Sequence, residues 1–170
     1  MSDSEQIRAQ RLVYYEQDIE RINGVLDEFM RLSGAKCSLL IDKEGHLIAK
    51  RGDTLTFDME TISALAAGSF AATKEMAKLL GEEEFSVLFH QGKRDSLQLV
   101  LVGDRMLLAI VFDDRTTIGM VRLYAKEATE HLAQILLDAQ RRAAAGQPQP
   151  EIADDYGQSA KQKLDDFFKS

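Results

Sequence analysis

Apolar positions along the chain switch between a helical and a strand-like period, and the switches mark the elements. Tyr15, Ile19, Ile22, Leu26, Phe29 and Met30 recur at helical spacing until Ser33-Gly34, which predicts a first core helix closed by glycine. The short apolar runs 39–41 and 47–49 flank Asp42-Lys43-Glu44-Gly45, a polar connection of hairpin length, and predict two antiparallel strands. A helical segment, 59–80, ends at Gly81. Phe85, Val87 and Phe89 then alternate before the turn Gln91-Gly92-Lys93-Arg94-Asp95, and Leu97, Leu99 and Leu101 alternate after it. Gly103-Asp104 turns the chain into 106–112, apolar on both faces and therefore predicted to be a central, doubly covered strand. A final stripe, Ile118, Val121, Ala125, Ala128, Leu132, Ile135, Leu136 and Ala139, predicts a long helix ending in Arg141 and Arg142. Helix, two strands, helix, three strands, helix predicts an α/β sandwich: a five-stranded antiparallel sheet with helices on both faces.

The helix at 59–80 has two apolar sides. At about 100° per residue, Ile62, Leu65, Ala72, Met76 and Leu79 fall together and are predicted to be the core stripe. Ala64, Ala67, Gly68 and Ala71 fall opposite, with Lys74 and Glu75 as polar neighbours. A solvated helix face normally carries long polar side chains, so this small-residue face predicts a surface on which another backbone lies closely. A helix buried on both sides, or alanines chosen for helix propensity alone, would give the same pattern. Phe85, Val87 and Phe89 are less continuously apolar than the strands that follow, which suits a sheet edge. Two copies joined at that edge, with their small-faced helices adjacent, would make a homodimer.

Beyond Arg142 the composition changes. Residues 143–153 contain both prolines and no large apolar residue except Ile152, and are predicted to be a flexible linker after a domain at 1–142. In 154–170, Tyr156, Ala160, Leu164, Phe167 and Phe168 make an apolar stripe in a charged segment, predicting a short amphipathic docking helix, or a tail that folds back on its own domain. Burying its four large side chains is worth roughly 6–12 kcal/mol gross, while ordering about a dozen residues costs on the order of 1 kcal/mol or more each, so alone it binds weakly. Tethered beside an existing interface, it gains effective concentration.

The chain has 170 residues, 45% of them hydrophobic and 29% charged, which suits one globular domain with an appendage. A formal charge of −7 argues against nucleic acid or an anionic membrane as partner, since both require clustered Lys and Arg. The one cysteine, Cys37, sits in a predicted strand and suits a buried thiol in a reducing compartment. The polar first residues and the absence of any long apolar segment predict a cytoplasmic protein. No phosphate-binding loop, nucleophile elbow, HExxH or paired CxxC occurs. His46, His90 and His131 are scattered, so no metal site is expected. Asp113 and Asp114 follow the central strand and are read as turn formers. Arg94 and Arg115 sit in loops, where an arginine finger toward a partner is conceivable but solvation is commoner.

Several segments together resemble one family. Leu40-Ile41-Asp42-Lys43-Glu44-Gly45, Ala67-Gly68-Ser69-Phe70-Ala71-Ala72-Thr73, and Phe112-Asp113-Asp114-Arg115-Thr116-Thr117-Ile118-Gly119 with Val121-Arg122-Leu123 are similar to roadblock-type dynein light chain domains, in their bacterial polarity-regulator branch. The resemblance covers 13–137, and the tail around Leu164-Asp165-Asp166-Phe167-Phe168 looks like the extension some members carry. It implies a homodimer that binds an MglA-type, Ras-like small GTPase and accelerates its GTP hydrolysis, in cell polarity or motility and at a cell pole. By the same likeness the regulator has no catalytic residue or cofactor of its own. GTP and Mg are held by the partner, whose own arginine and glutamine it positions. The family's partner surface maps onto Ala64, Ala67, Gly68, Ala71, Lys74 and Glu75, and the tail would assist nucleotide exchange. Glu75 departs from the small residue usual there. A scaffold dimer that recruits polarity or signalling proteins without GTPase activation, a ligand sensor, and an enzyme are the competing classes.

Overall fold

Every residue from Met106 to Phe112 is buried, as a strand covered on both faces requires, and this strand is the middle of the sheet. The computed structural model describes residues 16–145. In chain order they form α1 (Glu16–Ser33), β1 (Cys37–Asp42), β2 (Leu47–Gly52), α2 (Met59–Leu79), β3 (Val87–Gln91), β4 (Ser96–Val102), β5 (Met106–Phe112) and α3 (Ile118–Ala144). The strands are antiparallel in the order β2-β1-β5-β4-β3. The predicted element order and sandwich are those observed, and β3 lies at an edge. Phe85 precedes that strand.

Alternation divides the core between the two faces of the sheet. On one, Leu39, Ile41, Leu99, Leu107, Ala109 and Val111 pack with Met59, Ala66 and Phe70 of α2. On the other, Ser38, Leu40, Gln98, Val100, Leu108 and Ile110 are also buried. The buried stripes left to cover them are Ile22, Leu26 and Phe29 of α1 and Val121, Ala125, Ala128 and Leu132 of α3, as their periodicity predicted. Thr116 Oγ1 donates to Ser33 O at 2.6 Å, tying the end of α1 to the turn before α3.

The chain divides into two compact units. Ile22–Gln134 holds the whole sheet. In the other, which among the described residues joins 16–21 with 135–145, Arg21 pairs with Asp138 at 3.3 Å and Arg142 with the buried Asp18. Helix α3 continues through Ala144, past the expected start of the linker. The rest of the linker and the amphipathic segment with Tyr156, Leu164, Phe167 and Phe168 lie outside the described residues, as does Tyr15.

Helix α2 overturns one expectation. Its buried residues are Met59, Ser63, Ala66, Ala67, Phe70, Thr73 and Ala77, whereas Leu65, Ala72, Met76 and Leu79, four of the five residues expected in the core, face outward; only Ile62 is partly buried. The buried side is neither predicted stripe: Ser63, Ala66, Ala67, Thr73 and Ala77 admit closer backbone approach than leucines would, while Ala64, Gly68 and Ala71 stay exposed. The polar members of the buried side cost little there. Ser63 Oγ donates to Met59 O at 2.7 Å and Thr73 Oγ1 to Phe70 O at 2.8 Å, so each is satisfied by its own helix. Asp58 caps the start, accepting from Thr61 N at 3.1 Å, and Gly81 at φ +82 closes the end with Glu82 N on Ala77 O.

Phe70→Ala should lower the unfolding free energy by about 3–5 kcal/mol, read from urea denaturation. Burial pushes the Cys37 thiol from its ordinary 9.0 up to about 11. The neutral thiol therefore supports the fold fully below 9.0, and that support is lost as pH rises toward 11. At neutral pH Cys37 should react with a thiol reagent far more slowly in the native chain than in urea.

Candidate partner interface

The outward side of α2 is an apolar surface with a small-residue centre. Leu65 is 66% exposed, Met76 53% and Leu79 89%, with Ala72 beside them. Ala64, Gly68, Ala71 and Glu75 are exposed on the adjoining flank, and Lys74 is half-buried at its margin. Ala67, expected on this surface, is instead buried against the domain, because its angle turns it toward the sheet. A Cβ added at Gly68 would meet nothing within 4 Å. Glu75 Oε1 pairs with Lys78 Nζ at 3.2 Å, which holds its carboxylate along the helix.

The two flanks have different neighbours. A Cβ at Gly45, whose φ is +95, would lie 2.9 Å from Ala64 Cα, so the β1–β2 turn abuts the Ala64 flank and part of the smallness there serves the fold itself. The Leu65–Met76 flank faces the other way. Helix α2 lies mainly across β1, β2 and β5, and on the same face Leu88 of β3 with Leu97 and Leu101 of β4 remain half-buried. These three leucines extend the apolar surface from α2 to the sheet edge. Periodicity marked them as strand residues but carried no signal that their cover was incomplete.

At the edge itself, Leu101 N donates to Ser86 O at 2.9 Å, so the alternation of an antiparallel ladder turns the backbone groups of Val87, Phe89 and Gln91 away from β4. These include two of the three residues expected to form the open edge. The Phe89 ring stacks on Phe112 with centroids 6.1 Å apart, which fixes β3 to the central strand.

Of the residues weighed for chemistry, Arg94, Asp113 and Asp114 share one cleft, and the three histidines lie on separate elements. Lys36, Lys93, Arg94, Asp95, Asp113 and Asp114 line an open cleft of ≈ 300 Å³ at one end of the sheet, with both signs of charge interleaved. Lys36 Nζ meets Asp95 Oδ1 at 3.1 Å and lies 5.4 Å from the centre of the Phe57 ring. Asp113 is a turn former: Oδ1 accepts from Arg115 N at 3.0 Å, and Arg115 Nε binds both carboxylate oxygens at 3.0 and 3.1 Å. Arg115 is thus anchored to its own loop, while Arg94 is exposed. His46 lies in the β1–β2 turn, His90 on β3 and His131 on α3. Asp42, Glu44 and His46 come within 4.8 Å of one another. The Asp42 carboxylate there accepts from Glu44 N, His46 N and His46 Nδ1, which organises the turn.

Comparison with known proteins fits this geometry. The Roadblock/LC7 domain family model matches residues 21–112. Myxococcus xanthus MglB is 41% identical, with 75% of this chain and 96% of that chain covered and a TM-score of 0.71. The gliding protein MglB of Thermus thermophilus is 40% identical over 73% of this chain and 94% of its own, at 0.69. An MglB described in a tetrameric arrangement is 39% identical over 75% and 96%, at 0.71. No helix among the described residues is long and apolar enough to cross a membrane.

The hydrogen bond from the Arg115 side chain holds the Asp113 carboxyl below its ordinary 3.8. A depressed carboxyl stabilises the loop above its unfolded pKa and loses that effect as pH falls through its folded value. Arg115→Ala should move the Asp113 titration, followed by NMR, back up toward 3.8.

Proposed function

We propose that this chain, which belongs to the Roadblock/LC7 domain family and to its MglB-like branch, is a homodimeric regulator of an MglA-type, Ras-like small GTPase. The observation that carries the reading is the outer side of α2, whose leucines and methionine an isolated chain would leave in water. Two copies related by a two-fold axis cover the Leu65–Met76 flank and the half-buried leucines of β3 and β4, while the two β3 edges pair through the backbone of Val87 and Phe89. Burying the exposed parts of Leu65, Met76 and Leu79 in both copies is worth roughly 6–12 kcal/mol gross against about 4–15 kcal/mol for lost rigid-body freedom, so Leu88, Leu97 and Leu101 carry a needed share of the margin.

The Ala64, Gly68, Ala71 and Glu75 flank, with Lys74 at its margin, receives the GTPase. Small side chains there let a partner backbone approach, and the exposed Glu75–Lys78 ion pair lies beside it. The regulator accelerates hydrolysis by holding the partner's own catalytic side chains in place. GTP and Mg belong to the partner, and catalysis is by orientation and electrostatics. The anchoring of Arg115 by Asp113 supports a mechanism without an inserted arginine. Residues 154–170, through Tyr156, Leu164, Phe167 and Phe168, assist nucleotide exchange from the end of a tether.

Three measurements check this reading. The purified chain added to its cognate GTPase with GTP should speed phosphate release; binding with an unchanged rate would make it a scaffold. Ala71→Arg should abolish that binding and leave the circular dichroism melt unchanged. Removing 151–170 should slow nucleotide release more than it slows hydrolysis, and an unaltered release rate would deny the tail that role.

A further inference from the structure

The sheet has two edges, and they are built differently. At β2 the pairing Lys36 O with Asp53 N, 2.8 Å, and the register Ser38 opposite Arg51 and Leu39 opposite Lys50 place the N–H and C=O of Lys50 and Gly52 on the open side. The outward carbonyl of Lys50 is already occupied. Arg51 Nη1 donates to it at 2.8 Å, and the same guanidinium is held from behind by Asp27 of α1, which accepts from Arg51 Nε at 2.8 Å. Lys50 adds an exposed charge on the same strand. Strand β3, in contrast, reads Val87-Leu88-Phe89-His90-Gln91, without lysine, arginine or carboxylate, and none of its residues makes a side-chain hydrogen bond among the described residues.

We propose that Arg51, clamped by Asp27, closes the β2 edge against a second copy of this chain. A strand arriving at β2 must take the Lys50 carbonyl from a charge-assisted donor and displace a guanidinium that an ion pair holds in place. The clamp also explains the spacing of the charges. Arg51 stands opposite the buried Ser38, and Asp27 directly follows the buried Leu26 on α1, so the pair joins the strand to that helix at the surface. With one edge closed, pairing of sheets stops after a single partner; with both open, it has no built-in end.

The test compares the full chain with Arg51→Ala, which removes the lock, and Asp27→Asn, a milder change that frees the guanidinium should Arg51→Ala fail to fold. Mass is measured by light scattering across a concentration series. Amide hydrogen exchange is followed at Lys50 and Gly52. Both variants should at least double the parent mass as concentration rises, and the Lys50 and Gly52 amides, freely exchanging in the parent, should gain protection in the larger species. Folded variants that keep the parent mass throughout, or that assemble with those amides still exchanging freely, would overturn the proposal. A parent that is itself monomeric would refute pairing at β3 and leave this comparison intact, because the variants are read against the parent.

Discussion

The close seating of α2 on the sheet is the constraint from which the rest of the surface follows. Ser63, Ala66, Ala67, Thr73 and Ala77 bring the helix backbone near β1, β2 and β5, and only Met59 and Phe70 fill volume between them. Once the slim side is turned inward, Leu65, Met76 and Leu79 have nowhere to go but outward. Helix α2 thereby gives the core mainly its smaller residues and presents most of its larger ones outward.

That arrangement separates folding from assembly. The sheet core is closed by side chains of the chain itself, as the wholly buried β5 shows, whereas the apolar area on α2 and on the β3–β4 half of the sheet remains open. Electrostatics contribute elsewhere. Asp113, Asp42 and Asp58 each lock a turn or a helix start, and these bonds organise loops without gathering a reacting constellation. A surface of this kind acts by shape and placement.

Most of the fold was legible in the residues, because each element carries one dominant period and a fitting terminator. Ser33-Gly34 ends α1, Gly81 ends α2, and the doubly apolar run at Met106–Phe112 announced a central strand. Helix α2 was the exception. It is apolar nearly all round, so periodicity located two stripes, and the sheet took neither: a third side, Met59, Ser63, Ala66, Phe70, Thr73 and Ala77, is the buried one. Ala67 was misplaced for the same reason. The incomplete cover over Leu88, Leu97 and Leu101 and the Asp27–Arg51 clamp depend on which elements become neighbours in space, and no local pattern encodes that.

Cys37 lies wholly buried in β1 and is the only thiol the chain possesses. A cysteine placed on the outer side of α2 would consequently be the single position open to a spin label or a fluorophore. Distances across any assembly then become measurable by spectroscopy with the native sulfur left where it is.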